Sequence, residues 1–345
     1  MNLEDVALQG KEYERVMAGD GEGFRWLPYL MFHSNASFDS PVVHTDAGGF
    51  RISHGPSGPR SLMGDLPEGP VSVLLGGSPA FGLGASCDEE TVASHLAAGP
   101  DSVPWLNLAC SGFNSTQELI TFLLHRHQLP VIKDIVVMSG LNNLVLAGLP
   151  KADNDYGQFF YSGEFARRLG LPELEQPESL LDKLAKTARR VTGNPGEPEV
   201  NRVPEPAERL ELAVRIIARD LDRLAELAAP TGARIHFALQ PVSTWTRKPY
   251  TAEERQLLQE RGGVWDKLFS LVLDAEVHEG YGPALEAMCK ERDIAFLDLN
   301  RSLGSAPAAD NWLFVDSLHL TDEGYRTVAD AMRSDLDLAG APRRP

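Results

Sequence analysis

The segment Val71–Gly84, VSVLLGGSPAFGLG, joins a short apolar run to a turn crowded with glycine. The run Val71–Leu75 is the length of a strand and apolar enough to be buried on both faces of a parallel sheet. Glycine-rich turns that follow such strands are common ligand sites, because they bring backbone N–H groups close to a bound group.

Two phosphate-binding patterns are excluded by the residues of this turn. A P-loop needs Lys and then Ser or Thr after the last glycine of GxxxxG, whereas Gly77-x4-Gly82 is followed by Leu83 and Gly84. The dinucleotide fingerprint GxGxxG is also absent from it. An exposed serine beside a helix start, here Ser78, suits a nucleophile whose own N–H faces an oxyanion. The alternative is a glycine-rich turn with an idle serine.

Composition and charge limit the classes of partner. The 345 residues are 43% hydrophobic, which excludes a disordered chain. A net charge of −17 disfavours binding to nucleic acid and to anionic membrane surfaces. The three cysteines, Cys87, Cys110 and Cys289, show no disulfide or zinc spacing. Because Met1–Asp5 lacks the basic and apolar regions of a signal peptide, we expect a cytoplasmic protein.

Strand-like runs alternate with helical patterns over about 260 residues, which predicts one parallel sheet with helices on both faces. The predicted strands are Val71–Leu75, Trp105–Ala109, Ile135–Met138, Ile235–Leu239 and Ala295–Leu297. The predicted helices are Glu89–Ala98, Thr116–His127, Ala207–Leu227, Gly282–Lys290 and Asp322–Ser334. Around the α/β domain of residues 71–335, we expect an irregular N-terminal extension (1–70) packed on the core, insertions at 148–204 and 241–263, and a flexible tail (336–345).

The segment Asp316-Ser-Leu-His319 precedes the last predicted helix. A carboxylate three residues before a histidine can accept its Nδ1–H and leave Nε2 free as a general base. Taken alone, the pattern also occurs as a helix cap or as half of a metal site. The remaining histidines and acidic residues show no metal-ligand spacing, so no metal is predicted.

Two further motifs follow predicted strands. Gly112 lies in Cys110-Ser-Gly-Phe-Asn114 after the second strand, and Asn142 lies in Ser139-Gly-Leu-Asn-Asn143 after the third. A glycine N–H and an asparagine amide are donors that stabilise an oxyanion, and ligands bind at the carboxyl ends of such strands. Loop glycines and turn-capping asparagines are the alternative interpretation of either motif.

Taken together, the Ser, Gly, Asn and Asp-x-x-His motifs in this order resemble the SGNH (GDSL-type) hydrolase family over roughly residues 45 to 335. Leu75-Gly-Gly-Ser-x-x-Phe-Gly82 is similar to the Gly-Gly-Ser variant of bacterial members. The resemblance implies a three-layer α/β/α sandwich with a five-stranded, flavodoxin-like parallel sheet. It implies Ser78, His319 and Asp316 as the catalytic residues. The oxyanion donors would be Ser78, Gly112 and Asn142.

Two residues depart from the family pattern. Gly77 replaces the Asp of Gly-Asp-Ser, which is common in the bacterial variant, and Asn143 replaces the Asp of Gly-x-Asn-Asp. The second change removes a carboxylate beside the oxyanion donors, so the hydrogen bonds between the motif loops are expected to differ.

The sequence therefore predicts a serine esterase or thioesterase that acts on a small-molecule or carrier-bound acyl ester without a metal or organic cofactor. An acyltransferase of the same fold, an α/β-hydrolase and a non-catalytic binding module stay open as alternatives. Tyr156, Phe160 and Trp245 lie in the two insertions and are candidate contacts for an acyl group. The other interpretation, which we favour, is that these rings pack the small cores of the insertions.

Overall fold

The computed structural model describes residues 2–18, 25–99, 102–149, 152, 158–162, 204–259, 268–305 and 310–338. Its strands are β1 (Arg25–Leu27), β2 (Met31–His33), β3 (Ser53–Gly55), β4 (Gly58–Arg60), β5 (Val71–Gly76), β6 (Trp105–Asn107), β7 (Ile132–Ser139), β8 (Arg234–Leu239) and β9 (Ala295–Asp298). Its helices are α1 (Leu3–Ala18), α2 (Ser78–Phe81), α3 (Val92–Ala97), α4 (Ser115–His125), α5 (Leu141–Leu146), α6 (Pro206–Ala228), α7 (Ala252–Gln259), α8 (Ala275–Lys290), α9 (Leu299–Ser305) and α10 (Asp322–Asp335).

Strands β5 to β9 form one parallel sheet in the order β6-β5-β7-β8-β9. This is the flavodoxin-like order, in which β6 lies on one side of β5 and the later strands β7, β8 and β9 lie on the other side. All five predicted strands are present, with differences only at their ends. Their side chains are buried on both faces, as Val73 and Val136 illustrate, because helices cover both sides of the sheet.

The covering helices form two sets, and the three-layer α/β/α prediction is confirmed. In one set α6 contacts α4, α5 and α8, and in the other α10 contacts α3 and α9. The predicted apolar face of α6 is the packed one, since Leu212, Leu221 and Leu224 are buried. Among the helices of the described ranges, none has the length and apolar composition that a bilayer span requires.

Helix α8 begins seven residues earlier than predicted. The sequence predicted a start at Gly282, directly before Pro283, but the helix runs from Ala275 with Asp274 as its N-cap. Its buried face continues through the proline, from His278 to Cys289, so tertiary packing outweighs the lost backbone hydrogen bond. Helix α4 has its N-cap at Asn114, whose side chain forms a capping box with Gln117.

The N-terminal extension, which was expected to be irregular, contains helix α1 and two antiparallel hairpins, β1-β2 and β3-β4. Each of these strands has three residues, too few to show an alternating pattern in the sequence. On α1, Tyr13 and Val16 are buried in the common core.

Arg51 joins this N-terminal segment to the turn after β5. Its guanidinium is fully buried, and Nη1 donates to the carbonyl oxygen of Gly82 at 2.8 Å while Nε donates to Asp88 Oδ1 at 2.7 Å. The hydroxyl of Tyr13 also lies 2.8 Å from Gly82 O. A buried charge of this kind is stable only when its donors are satisfied, so these bonds fix the turn that follows Ser78.

The two predicted insertions and the predicted C-terminal tail are described only in part. The insertion at 148–204 is described at 148–149, 152, 158–162 and 204, and Tyr156 lies outside the described residues. The insertion at 241–263 is described as far as Gln259 and contains α7. At the start of the predicted tail, Leu336 and Leu338 are buried, so these residues pack on the core.

Glu118 is a buried carboxyl group on α4 that faces the last residue of β7. Its Oε1 accepts a hydrogen bond from Ser139 Oγ at 2.7 Å, and within the described ranges Oε2 has no partner. Burial raises the pKa of Glu118 to about 8, a shift that the Ser139 bond opposes and the nearby Asp220 supports. The folded protein therefore keeps this carboxyl protonated at neutral pH.

We predict that Glu118→Gln stabilises the protein at alkaline pH but not in acid. Unfolded Glu loses its proton near pH 4.5 and the folded residue near pH 8, so the wild-type free energy of unfolding falls as pH rises between these values. Gln stays neutral, so the variant should be more stable by on the order of 3 kcal/mol at about pH 8.5. Urea unfolding at about pH 4 and pH 8.5 measures the difference.

Glu211→Gln, on the exposed side of α6, is the matched control and should change the unfolding free energy little at either pH. A Glu118→Gln effect that is equal at both pH values would show that Glu118 is not held protonated in the folded protein.

Candidate functional site

The predicted Ser, Gly and Asn residues lie at the carboxyl ends of three adjacent strands. Ser78 follows β5, Gly112 follows β6 and Asn142 follows β7. Because β5 lies between β6 and β7 and all three strands are parallel, their carboxyl ends share one edge of the sheet. This edge includes the point where the strand order reverses, at which open α/β sheets form their ligand crevice.

The turn that carries Ser78 depends on a glycine before it. Gly76 has a φ of +153°, and a Cβ there would lie 2.2 Å from the carbonyl oxygen of Met138 on β7. A side chain is therefore excluded, and the chain turns sharply from β5 into α2. Ser78 and Pro79 occupy the first turn of α2, where the N–H of Ser78 has no intrahelical acceptor.

His319 joins Ser78 to Asp316. Its Nε2 lies 2.8 Å from Ser78 Oγ, across 241 positions of sequence, and its Nδ1 lies 2.6 Å from Asp316 Oδ2. These three residues form a Ser–His–Asp triad in their geometry. With the Nδ1 proton directed at the carboxylate, Nε2 is the ring nitrogen that accepts from the serine hydroxyl.

Asp316 is fixed by the backbone of its own loop. Its Oδ1 accepts the N–H groups of Leu318 at 2.7 Å and His319 at 2.8 Å, so only Oδ2 is directed at the ring. Burial by itself raises the pKa of Asp316, but the His319 ring and these N–H donors outweigh it and hold the pKa below its usual value. The three-residue spacing of Asp-x-x-His therefore gives an ionised carboxylate in a fixed position.

The loop of His319 approaches the serine turn closely at Gly84. Gly84 has a φ of +104°, and a Cβ there would lie 2.5 Å from the carbonyl oxygen of Leu320 and 2.9 Å from Val315 Cγ2. The hydroxyl of Tyr325, on α10, donates to Leu83 O at 2.5 Å in the same region. Contacts on both sides of His319 thus hold its loop against the turn after α2.

Asn142 lies beside the serine turn in an orientation fixed by Phe113. Its Nδ2 donates to the carbonyl oxygen of Phe113 at 2.7 Å, and a Cβ on Gly77 would lie 2.8 Å from the same nitrogen. A carbonyl can only accept, so this contact identifies the nitrogen end of the amide. The second hydrogen of this amide has no hydrogen-bond partner among the described residues. Gly112, with a φ of +83°, directly precedes Phe113.

The two departures from the family pattern have physical reasons in this structure. An Asp at position 77 would place its Cβ against the Asn142 amide, so glycine leaves room for that amide. Asn143 Oδ1 accepts the N–H of Ser115 at 3.1 Å, and its Nδ2 donates to Ser115 Oγ at 2.8 Å. Ser115 Oγ donates its hydrogen to Asp220 Oδ2 at 2.6 Å, so this oxygen can only accept a hydrogen bond from residue 143. Asparagine supplies that donor, whereas an ionised aspartate would not. The motif loops are therefore hydrogen-bonded to each other.

Phe160, one of the predicted substrate contacts, lies next to Gly112. Its Cδ2 is 3.7 Å from the position of a Gly112 Cβ, and Phe32 Cζ is 3.2 Å from that position. Both rings are buried, and Phe160 stacks on Phe269 with 6.0 Å between the ring centroids. The sequence analysis missed Phe32, because it comes from the short strand β2 and no motif marks it.

Trp245, another predicted substrate contact, is an interior residue. It is 2% exposed, its Nε1 donates to Val272 O at 3.1 Å, and its ring stacks on His278 at 5.4 Å. This placement favours the packing interpretation of Trp245 over a substrate contact.

In the described ranges, His, Cys, Asp and Glu side chains do not form a group of three or more that could hold a metal ion. The three cysteines are unpaired, and Cys110 and Cys289 are buried thiols.

The comparisons with known proteins give similar structures at low sequence identity. No family model and no curated protein sequence matches this chain. A member of the lipolytic G-D-S-L family from Veillonella parvula is similar with a TM-score of 0.43 and 13% identity, over 77% of this chain and 98% of that one. An extracellular lipase from Streptomyces rimosus has a TM-score of 0.43 and 14% identity, over 77% and 100%. A carbohydrate acetylesterase from Sinorhizobium meliloti has a TM-score of 0.43 and 9% identity, over 78% and 99%.

We predict that Gly84→Ala slows the reaction of Ser78 with a fluorophosphonate more than tenfold. A methyl group at position 84 must displace the backbone at Leu320, which moves His319 away from Ser78 Oγ. A displacement of about 1 Å is enough to lower reactivity by on the order of a hundredfold. Labelling rates measured by intact-mass spectrometry test this.

Gly232→Ala is the control, because Gly232 also has a positive φ, +68°, while nothing lies within 4 Å of its Cβ position. Equal labelling rates for wild-type protein and folded Gly84→Ala would mean that the close approach at Gly84 does not position His319.

Proposed function

We propose that this protein is a serine hydrolase of the SGNH (GDSL-type) class that cleaves an acyl ester or thioester through an acyl-enzyme on Ser78. The observation that carries the proposal is the hydrogen-bonded triad, with Nε2 of His319 2.8 Å from Ser78 Oγ and Nδ1 2.6 Å from Asp316 Oδ2. A serine hydroxyl is a weak nucleophile until an adjacent base accepts its proton, and this geometry supplies the base and its orienting carboxylate.

In the first half-reaction, Ser78 Oγ attacks the substrate carbonyl carbon as its proton passes to His319 Nε2. The carbonyl oxygen becomes an oxyanion, for which the donors are the N–H groups of Ser78 and Gly112 and the second hydrogen of Asn142 Nδ2. Each such donor lowers the activation barrier by about 3 kcal/mol in comparable enzymes. The oxyanion then collapses, the bond to the alkoxide or thiolate breaks, and His319 gives its proton to that leaving group.

In the second half-reaction, water attacks the acyl carbon while His319 accepts one of its protons. Collapse of this second oxyanion breaks the bond to Ser78 Oγ, which recovers its proton from His319. Throughout, Asp316 stays ionised and stabilises the positive charge that the ring acquires, in agreement with its lowered pKa. An alcohol or amine acceptor in place of water would make the same machinery an acyltransferase.

The geometry supports this proposal over two of its alternatives. In α/β-hydrolases the acid and the histidine come from separate loops, whereas Asp316 and His319 share one loop here. A binding module of this fold would not need a serine hydroxyl within hydrogen-bond distance of an oriented histidine, and Ser78 has one.

We predict that Ser78→Ala lowers kcat for p-nitrophenyl acetate at least 1000-fold, because the nucleophile is removed while the fold has room for the smaller side chain. His319→Ala should lower kcat by a similar factor. Initial rates at saturating ester, with circular dichroism to confirm folding, measure both effects.

Ser111→Ala is the matched control, since Ser111 lies near the same sheet edge and has no role in the proposed chemistry. If Ser78→Ala keeps more than about a tenth of the wild-type kcat, Ser78 is not the nucleophile. Adding an alcohol acceptor to the same assay distinguishes hydrolysis from acyl transfer by the product formed.

We further propose that Phe160 forms one wall for the acyl group, because its ring lies beside Gly112, one of the proposed oxyanion donors. Phe160→Ala should change the ratio of kcat/KM between hexanoyl and acetyl esters by roughly tenfold, the effect of one apolar contact. Phe296→Ala removes a ring from edge strand β9 and is the control, with an unchanged ratio expected. A ratio that Phe160→Ala leaves unchanged would remove Phe160 from the acyl site.

A further inference from the structure

The loop that carries Asp316 and His319 is held at its base by a buried carboxylate from another part of the chain. We propose that Glu254, on α7, is a positioning residue for His319, and that Lys248 is its counter-ion. This inference rests on the proposed function, because it assigns Glu254 a part in the alignment of the triad.

Within the described residues, the Glu254 carboxylate accepts four hydrogen bonds. Its Oε1 accepts the backbone N–H groups of Leu313 at 3.0 Å and Phe314 at 3.1 Å. Its Oε2 accepts hydrogen bonds from Nζ of Lys248 at 2.7 Å and from the backbone N–H of Thr251 at 2.9 Å. The side chains of Glu254 and Lys248 are 0% exposed, so solvent does not compete for these bonds.

The two N–H groups that Glu254 accepts belong to the base of the His319 loop. Phe314 pairs with Leu320 in an antiparallel bridge, and the N–H of Val315 donates to His319 O at 3.0 Å. One residue further out, the N–H of Thr321 donates to Leu313 O at 2.9 Å. Residues 315–319 thus form a closed loop, and its base at 313–314 sets the position of the whole loop.

The insertion that carries Lys248 and Glu254 also contacts the tip of the His319 loop. The N–H of Ser243 donates to the carbonyl oxygen of Ser317 at 2.9 Å, and Ser317 lies between Asp316 and His319 in sequence. The N–H of Val242 in turn donates to Asn300 Oδ1 at 2.8 Å, which connects the segment to the carboxyl ends of β8 and β9. The described part of the insertion at 241–263 therefore holds the triad loop at two points.

Stability alone does not explain a buried ion pair at this place. Replacing such a pair with apolar residues of similar volume is often neutral or stabilising, since the desolvation of two charges offsets their attraction. What an apolar pair cannot supply is an acceptor for two adjacent backbone N–H groups, fixed in position by a neighbouring cation. That property matters if the loop must keep His319 Nε2 2.8 Å from Ser78 Oγ.

The test compares two double variants that both remove the ion pair. K248M/E254Q keeps an amide oxygen for the N–H groups of Leu313 and Phe314, whereas K248M/E254L removes every acceptor. We expect K248M/E254Q to keep kcat for p-nitrophenyl acetate within threefold of wild type. K248M/E254L should lose at least tenfold in kcat at an unchanged KM, and fluorophosphonate labelling of Ser78 should slow by the same factor.

Two further variants keep the test decisive. If K248M/E254L does not fold, E254D retains the charge for Lys248 but draws the carboxylate back from Leu313 and Phe314, and the same tenfold loss is expected. Asp134→Asn weakens another buried ion pair, Asp134 with Arg234 at 2.8 Å, at the start of β7 and β8 and away from the triad. Asp134→Asn should lower the free energy of unfolding. Its kcat, calculated per Ser78 that the fluorophosphonate labels, should stay unchanged.

A proton NMR signature separates positioning from a purely structural role. The Nδ1 proton shared by His319 and Asp316 should give a strongly downfield signal in wild type and K248M/E254Q, and a shifted or lost signal in K248M/E254L. Wild-type kcat and an unchanged signal in folded K248M/E254L and E254D overturn the inference. Loss of activity in Ser78→Ala together with that result would leave the proposed function intact, whereas an active Ser78→Ala would overturn the function itself.

Discussion

The hydrogen bond between Ser78 Oγ and His319 Nε2 requires two backbone segments, 241 residues apart in sequence, to approach almost to contact. The approach is possible only because glycine occupies position 84, where a Cβ would lie 2.5 Å from the carbonyl oxygen of Leu320. A side chain is likewise excluded on the other side of Ser78, where the absence of a Cβ at Gly76 leaves room for the carbonyl oxygen of Met138. The glycines around Ser78 therefore leave room for neighbouring backbone, and the hydrogen bond between Ser78 and His319 depends on that room.

Two buried charged side chains hold the segments that meet at this point. Arg51, from the N-terminal extension, binds the carbonyl of Gly82 and fixes the turn after the serine. Glu254, from the insertion at 241–263, binds the N–H groups at the base of the His319 loop. Both lie outside the parallel sheet, so segments that look peripheral in the sequence contribute to the geometry of the triad. Because each charge is buried with its partners, its loss would leave unsatisfied groups in the interior.

The sheet was predictable because its strands are apolar runs, such as Val71–Leu75, and strand–helix alternation limits the possible topologies. The candidate residues Ser78, Asp316, His319, Gly112 and Asn142 were predictable because each follows a strand end or lies in a short local motif. Only the structure shows that Ser78, His319 and Asp316 are hydrogen-bonded to one another. The packing of Phe32 beside Gly112 and the bonds of Glu254 to the base of the His319 loop were not predictable, since each joins segments that are distant in sequence. The start of α8 was misplaced because tertiary packing carries this helix through Pro283, a residue that ordinarily interrupts a helix.

The most direct test of the central claim, that Ser78 is the acylated nucleophile of the triad, is rapid-quench intact-mass spectrometry during turnover of p-nitrophenyl acetate. The account predicts a covalent adduct of one acetyl group, located by peptide mapping to Ser78, that forms and decays at rates compatible with kcat. Slow turnover in His319→Ala should leave no such adduct at early times. Rapid turnover by the wild-type protein with the acetyl group on another residue, such as Ser111, would contradict the account.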